Sequence, residues 1–114
     1  MKEIVKVLKV LSDKNRLRIL KLLETKKCCV CELSEIIGIT QPSVSRHLKK
    51  LKAAGLIQDE QQGFWTDYFL SKPDDIYGKE LLAYIRTLLK DDSVVRKDKD
   101  KAEKVRRSDL CCKK

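Results

Sequence analysis

The sequence has few aromatic residues and no long hydrophobic run. Phe, Trp and Tyr together make up 5% of the 114 residues, so the apolar residues are mostly Leu, Ile and Val, which suits helix packing. No segment approaches the roughly 18 consecutive apolar residues that indicate a membrane span. The N-terminus, MKEIVKVLKVLSDK, alternates Lys with aliphatic residues and lacks the apolar stretch and cleavage site of a secretory signal. We therefore expect a cytoplasmic protein without a membrane partner.

Histidine is scarce as well, since His47 is the only one. A histidine-rich zinc site within one protomer is therefore excluded. His47 borders the buried side of its predicted helix, where a structural or phosphate-binding role is favoured over metal ligation. The five cysteines are an odd number, and the cytoplasm keeps thiols reduced. They do not indicate a disulfide framework.

Charge and length indicate the class of partner. The chain has 26 Lys and Arg against 17 Asp and Glu, which gives a formal net charge of +9. A polyanion is the first partner that this balance indicates, although a charged surface also serves solubility alone. A chain of this length is expected to form one domain of modest stability, which dimerisation would increase.

The hydrophobic pattern predicts a mainly α fold with a small β-hairpin. Helices are expected over about residues 3–11, 13–24, 32–37, 41–54 and 75–90. The segments LIQDE and FWTDYFL read as two strands joined around Gly63. This order, α-α-α-α-β-β-α, is that of a winged helix-turn-helix domain, here over residues 1–90. From Lys90 the composition shifts, which predicts a charged, flexible tail over 91–114 or a frayed helical extension.

The fourth predicted helix, QPSVSRHLKKLKAAG, has the composition of a DNA-reading element. Val44, Leu48 and Leu51 cluster on one side of a helical wheel and are expected to pack inward. The opposite side carries cations suited to phosphates, and amide, hydroxyl and guanidinium groups suited to base edges near the helix N-terminus. An ordinary solvated basic face is the alternative. The outward residues are Gln41, Pro42, Ser45, Arg46, Lys49 and Lys50.

Three cysteines lie close together in TKKCCVCELSEIIG. Cys28 and Cys31 are neighbours on a helical turn, whereas Cys29 and Cys31 share a side only in an extended strand. No regular helix brings all three together, so their convergence requires the backbone at the helix start to bend or unwind. A helix N-terminus behind Lys26 and Lys27 is expected to lower the thiol pKa values. Clustered thiolates without histidine favour soft, thiophilic ions.

Three sulfurs suit trivalent arsenic or antimony, whereas tetrahedral zinc favours a fourth ligand. Cys29 and Cys31 are candidate ligands. The third sulfur comes either from Cys28, which is local and therefore preferred, or from the tail pair Cys111 and Cys112. The tail pair also fits a second dithiol site, a third ligand donated across the dimer, or an exposed pair without a role. Small buried hydrophobic residues are the alternative interpretation of the cluster.

From about Ile4 to Leu89 the chain resembles the ArsR/SmtB family of metal-responsive winged-helix repressors. The segments that carry the resemblance are CVCELSEIIG, QPSVSRHLKKLKAAGLI and QQGFWTDYFLS. The resemblance implies a homodimer formed by the first and last helices, and operator binding that ends when an inducer binds. It carries DNA contacts over to Gln41, Pro42, Ser45 and Arg46, with Ser43 and Lys49 as additions and His47, Gln62 and Gly63 as further candidates.

The resemblance also points to arsenic, because the family's arsenic sensors carry Cys-Val-Cys followed by an acid and Leu. Ser34 stands where some of them have a third Cys. The wing departs from the family, whose wings usually bear Arg or Lys that reaches the minor groove. Here the tip region, DEQQGFW, has Asp59 and Glu60 and no cation. Because acids near phosphate are repelled, we expect little DNA affinity from the wing.

The sequence thus predicts a transcriptional repressor that binds operator DNA as a dimer and is released by trivalent arsenic or antimony. It has no resident cofactor, and no further protein partner is inferred. One alternative is a cadmium- or lead-responsive repressor. Another is a thiol-redox or persulfide sensor in which Cys28 and Cys31 form the bond. An enzyme, a thiol oxidoreductase using C-x-x-C, is disfavoured because such motifs belong near a βαβ unit.

Overall fold

The computed structural model describes residues 1–72, 76–106 and 110, and only the backbone of residues 76 and 77. Its elements are α1 (Lys2–Leu11), α2 (Lys14–Leu23), α3 (Val30–Ile37), α4 (Gln41–Ala53), β1 (Ile57–Gln62), β2 (Trp65–Leu70), α5 (Ile76–Thr87) and α6 (Ser93–Lys104). This order confirms the winged helix-turn-helix fold and adds a helix, α6. In this part of the chain, no helix combines the length and hydrophobicity that crossing a membrane requires.

Local sequence signals set the boundaries of α2, α3 and α4. Asp13 caps α2 by accepting two backbone N–H bonds at 2.8 and 3.1 Å. Thr40 caps α4, where its Oγ1 accepts from the N–H of Ser43 at 3.3 Å. Gly38 follows α3 with φ 83°, a left-handed conformation that glycine adopts without strain. Three residues, 38–40, therefore separate α3 from α4 and turn the chain between them.

The hydrophobic core lies between α2, α3, α4 and the base of the hairpin. Each of these elements contributes side chains that are at most 1% exposed: Ile19, Leu20, Leu22, Leu33, Val44, Leu48, Leu51, Leu56 and Ile57. Fully burying one such side chain is worth about 1.5–3 kcal/mol relative to leaving it exposed. The inward residues of α4 are those that its periodicity predicts, so its polar side faces outward.

The hairpin forms a short wing. β1 and β2 are antiparallel, with Ile57 opposite Leu70 and Gln62 opposite Trp65. The turn therefore consists of Gly63 and Phe64, and the φ of 62° at Gly63 suits glycine. Phe64 was expected at the start of the second strand. It lies in the turn instead, because the strands pair up to Gln62 and Trp65.

The C-terminal region differs most from the sequence prediction. Residues 91–114 were expected to form a flexible tail or a frayed extension, whereas Ser93–Lys104 form helix α6, capped by Asp92. This helix packs against α2 and α3. Its Val95, Asp98 and Ala102 are buried. The prediction of a flexible tail is therefore wrong for α6.

A buried ion pair joins α6 to α2. Arg18 on α2 donates to both carboxylate oxygens of Asp98, from Nε at 2.8 Å and from Nη2 at 2.9 Å. Asp98 is only 4% exposed, and a bidentate pair of this kind is strong and geometrically specific. The partners lie 80 positions apart in the sequence. No local pattern in the sequence signals this contact.

Helices α1 and α5 leave apolar side chains uncovered. On α1, Val5 is 40% exposed and Leu8 is 50% exposed. On α5, Leu82 and Ile85 are buried, whereas Tyr84 is 62% exposed. Both helices therefore carry more apolar side chains than one protomer buries.

Candidate nucleic-acid interface and cysteine site

The outward side of α4 carries the sequence-predicted DNA-contacting residues. Arg46 lies over the first turn of this helix, because its Nη2 donates to Oγ of Ser43 at 3.1 Å. The structure thus brings amide, hydroxyl and cationic groups together near one helix N-terminus, the arrangement by which recognition helices contact bases and phosphates. Ser43 is partly buried, and the exposed members of the face are Gln41, Pro42, Ser45, Arg46, Lys49 and Lys50.

His47 is held against α2. Its Nδ1 accepts from Nε of Arg16 at 3.2 Å, so the neutral ring carries its proton on Nε2. Arg16 also donates to the carbonyl of Val10 at 3.2 Å. Burial is the main cause that lowers the pKa of His47; the surrounding cations add to it, and Asp13 opposes them. His47 therefore links the reading helix to α2 in its uncharged form.

The acids of the wing are paired with cations. Asp59 lies 3.0 Å from Nζ of Lys52, at the C-terminal end of α4. Glu60 pairs with Lys27. Each carboxylate is therefore balanced by a neighbouring ammonium, which weakens the repulsion of phosphate that the sequence predicts. The exposed tip of the wing consists of Gln61, Gln62, Gly63 and Phe64.

The clustered cysteines occupy different positions around the start of α3. Cys28 forms a β-bridge with Tyr68 of β2, through N–H···O bonds of 3.1 Å from Cys28 and 2.8 Å from Tyr68. Cys29 is the N-cap of α3, and Cys31 lies in its first turn. All three are buried, at 0%, 3% and 8% exposure. Among the described residues, no three His, Cys, Asp or Glu side chains are grouped closely enough to hold a metal ion.

The expectation that this site lowers thiol pKa values is wrong for this conformation. Burial, with the charge of Glu32 as the next cause, raises the pKa of Cys28 to about 12. Burial also raises the pKa of Cys29. Lys26 opposes the shift at Cys28 only in part, since its Nζ lies 3.4 Å from Oε2 of Glu32 and donates to the carbonyl of Ala102 at 3.1 Å. Desolvation therefore outweighs the helix N-terminus and the lysines.

Sequence reasoning missed Glu32. Its carboxylate is 5% exposed, and its Oε1 accepts the backbone N–H of Cys29 at 3.0 Å while Oε2 faces Lys26. The side chain of Glu32 thus contacts both Cys29, the N-cap of α3, and Lys26. Through Lys26 it is linked to helix α6. The available signal was an acid three residues after an N-cap, which is the spacing of a capping box.

Cys31 borders a cavity that reaches the reading helix. The cavity is also lined by Gln41, the first residue of α4, by Lys101 of α6 and by Leu110. Leu110 therefore lies close to α3. The side chain of Cys31 is close both to the start of α4 and to Leu110.

The cysteines also differ in redox state. Cys28 and Cys29 are free, whereas Cys31 is disulfide-bonded. The Cys28–Cys31 bond of the redox-sensor alternative is therefore not formed. The candidate ligands Cys111 and Cys112 lie outside the described residues, and their part in a site stays a prediction.

The chain is similar to known regulatory proteins over its helix-turn-helix segment. Residues 13–59 match the family model described as bacterial regulatory protein, arsR family. An arsenical resistance operon repressor of Escherichia coli is 43% identical over 68 residues, which cover 59% of this chain and 58% of that protein. An uncharacterized HTH-type transcriptional regulator of Methanocaldococcus jannaschii is 38% identical over 65 residues, covering 56% of this chain and 73% of that protein.

Two further similarities bear on the inducer and on assembly. The cadmium resistance regulatory protein CadC of Listeria innocua is 36% identical over 63 residues, which cover 54% of this chain and 53% of that protein. A homodimeric winged helix-turn-helix DNA-binding domain from Mycobacterium bovis, a possible ArsR-family regulator, aligns with a TM-score of 0.65 at 25% identity. That alignment covers 76% of this chain and 78% of the other.

Proposed function

Because the chain belongs to the ArsR family of bacterial regulatory proteins, we propose that it represses transcription as an operator-bound homodimer and is released when trivalent arsenic or antimony binds its cysteines. Members of this family are DNA-binding regulators, not enzymes. The observation that carries the proposal is the cavity shared by Cys31 and Gln41. This shared lining supports the proposal, because Cys31 is a candidate inducer ligand and Gln41 is a candidate DNA contact.

The dimer is formed by α1 and α5. Val5, Leu8 and Tyr84 leave apolar surface on these two helices that one protomer does not cover, and covering it by a second copy would stabilise a small domain. A two-fold dimer presents its two α4 helices about 34–36 Å apart, to successive major grooves. The similarity to a homodimeric domain of the same fold supports this assembly.

The inducer is bound by Cys29, Cys31 and a third sulfur. Cys28 was the preferred third ligand, but its sulfur is buried in the core and its backbone is held by both bonds to Tyr68. Recruiting it requires the bridge to the wing to break. Leu110 borders the Cys31 cavity, and Cys111 and Cys112 follow it in the sequence. These observations favour the tail pair, with Cys28 as the alternative.

The chemistry of arsenite suits protonated thiols. Each arsenic–sulfur bond forms as a thiol replaces one hydroxyl of As(OH)₃, and the thiol proton leaves with that hydroxyl as water. Once a reductant, the phosphine of the test below, has opened the disulfide of Cys31, three thiols give As(SR)₃ and three waters without net release of protons. A raised pKa, as at Cys28 and Cys29, does not oppose this reaction, whereas Cd²⁺ or Pb²⁺ must displace protons from each thiol that it binds.

Binding changes DNA affinity through the start of α3. Gathering the sulfurs of Cys29 and Cys31 moves residues on opposite sides of a helical turn, which breaks the cap between Cys29 and Glu32. Since α3 is joined to α4 by three residues, the reading helix then shifts against its partner in the dimer. A coupling of about 1–3 kcal/mol, or about 5- to 150-fold, is typical, and DNA must weaken arsenic binding by the same factor.

The test is a DNA-binding titration with cysteine variants. A duplex selected from a random library is bound by the full-length protein under a phosphine reductant, which keeps Cys31 reduced without competing for arsenic. We expect arsenite to release wild-type protein, and Cys29→Ser and Cys31→Ser to keep DNA affinity but not respond. Loss of response in Cys111→Ser with Cys112→Ser assigns the third sulfur to the tail; loss in Cys28→Ala assigns it to Cys28.

The matched control is Ser34→Ala, which changes a polar side chain on the same cavity without removing a sulfur. An unchanged arsenite response in Cys31→Ser would refute the proposed site. A cadmium- or lead-responsive repressor is the second candidate, favoured by the similarity to CadC. A redox-responsive repressor is the third, favoured by the disulfide at Cys31; release by an oxidant alone, reversed by the phosphine, would identify it.

A further inference from the structure

The tip of the wing presents an aromatic side chain, where the wings of the family that the chain resembles usually bear Arg or Lys. We propose that Phe64 is a specificity-determining DNA contact, whose ring packs into the minor groove next to the major-groove site of α4. This inference rests on the operator binding proposed above. It reverses the expectation that the wing contributes little to DNA affinity.

Phe64 is the most exposed aromatic side chain of the described residues, at 67%. Single exposed apolar residues are common on protein surfaces and carry no information by themselves. The position of this one is informative, because Gly63 and Phe64 are the two residues of the hairpin turn. The ring is therefore attached to the outermost point of the wing.

The turn that carries Phe64 is braced by side-chain bonds. Nε2 of Gln61 donates to the carbonyl of Gly63 at 2.9 Å, and Oγ1 of Thr66 donates to Oε1 of the same glutamine at 2.8 Å. Gln61 thus ties the two strands together across the turn. A tip held in this way loses little conformational entropy on binding, which favours affinity.

The wing is anchored to the reading helix at a suitable distance. The contact of Lys52 with Asp59 joins the end of α4 to β1. From Asp59 to Gly63 the strand spans about 13 Å, at about 3.3 Å per residue, and the ring of Phe64 extends further. The minor groove adjacent to the major groove lies about 17 Å along the duplex, half of a helical turn of about 34–36 Å.

The charges of the wing allow its tip to approach DNA and favour an apolar contact over an ionic one. The two acids of β1 are paired with Lys52 and Lys27, and residues 61–66 carry no charge. The tip therefore neither repels the phosphates nor attracts them. Proteins that use the minor groove insert apolar wedges, Phe among them, between base steps and read A·T against G·C with amides such as Gln62. The contact is expected to be apolar and independent of salt.

The test measures affinity and its salt dependence together. Wild type, Phe64→Ala, Phe64→Leu and Phe64→Arg are titrated onto the selected duplex and onto an unselected one, between about 50 and 200 mM salt. We expect Phe64→Ala to lose about 5- to 150-fold in affinity for the selected duplex, the range for loss of one aromatic stack on a base. Its slope of log affinity against log salt should equal that of wild type.

The other variants separate an apolar contact from a charged one. Phe64→Leu should retain more affinity than Phe64→Ala, and Phe64→Arg should regain affinity with a slope steeper by about 0.9. A 2-aminopurine placed in the minor-groove step should fluoresce more strongly with wild type than with Phe64→Ala, because unstacking relieves its quenching. Val94→Ala, a matched change at an exposed apolar residue of α6, should bind like wild type.

Equal affinity of Phe64→Ala and wild type for the selected duplex would overturn the proposal. So would a loss accompanied by dissociation of the dimer in sedimentation, which would assign the ring to a protein contact. Failure of the wild-type protein to bind any duplex would instead refute the proposed function. Thermal unfolding of each variant controls for stability, which an exposed residue should hardly alter.

Discussion

The pH dependence of induction distinguishes arsenite from a divalent metal. At Cys28 the pKa is about 12 against an ordinary 9.0, which corresponds to about 4 kcal/mol against the thiolate. The pKa of Cys29 is raised for the same reason, burial. Both thiols are therefore protonated throughout the range from about pH 6 to pH 8.

The proton balance sets the expected slopes. Arsenite exchanges its hydroxyls for thiols without net protons, so its half-effective concentration for DNA release should stay constant between about pH 6 and pH 8. Cadmium releases about one proton per thiol, so binding by three thiols should tighten by about a factor of 1,000 per pH unit. A thiol with a raised pKa remains protonated to higher pH. The steep pH dependence of cadmium binding therefore extends to higher pH.

The assay is fluorescence anisotropy of a labelled duplex, titrated with each ion at several pH values under a phosphine reductant. Affinity for DNA without inducer is measured at every pH, because it is the reference for release. Thiolate absorbance near 240 nm should show no titration of Cys28 below about pH 10, in a comparison of wild type with Cys28→Ala. An arsenite response that strengthens about tenfold per pH unit would refute the reasoning, because it would require net release of a proton.

Two further outcomes test the tertiary contacts. Asp98→Ala removes the partner of Arg18 on α2 and should lower the free energy of unfolding by about 2–4 kcal/mol, which urea denaturation measures; an effect below about 0.5 kcal/mol would mean that α6 docks without the pair. The lowered pKa of His47 means that the unfolded chain takes up its proton first as pH falls. Stability should therefore decline below about pH 6.5. His47→Gln should flatten that decline, and an identical pH profile would contradict the assignment.

Much of the reading unit was predictable because its signals are local. The periodicity of Val44, Leu48 and Leu51 assigns the inward side of α4, and by difference the outward side that we propose reads DNA. Thr40 and Gly38 bracket the turn before it, because a cap and a left-handed glycine act within a few residues. Such signals act within a few residues and therefore do not depend on how the rest of the chain packs.

Several expectations differ from the structure because they concern partners that are distant in the sequence. From the sequence alone Asp59 and Glu60 are expected to repel phosphate, because the lysines that pair with them come from α4 and from the segment before α3. The docking of α6 has no local signal, because its Asp98 pairs with Arg18, 80 positions away. Counting charges along the chain does not show which of them are paired.

The cysteine cluster shows both what the sequence determines and what only tertiary packing determines. Its residue types and spacing alone determine that soft ligands are favoured and that no regular helix gathers the three sulfurs. Whether those sulfurs are thiols or thiolates depends on how deeply they are buried and on where Lys26 and Glu32 place their charges. Spacing is a property of the covalent chain, whereas desolvation arises only when distant segments pack around a group and remove its water.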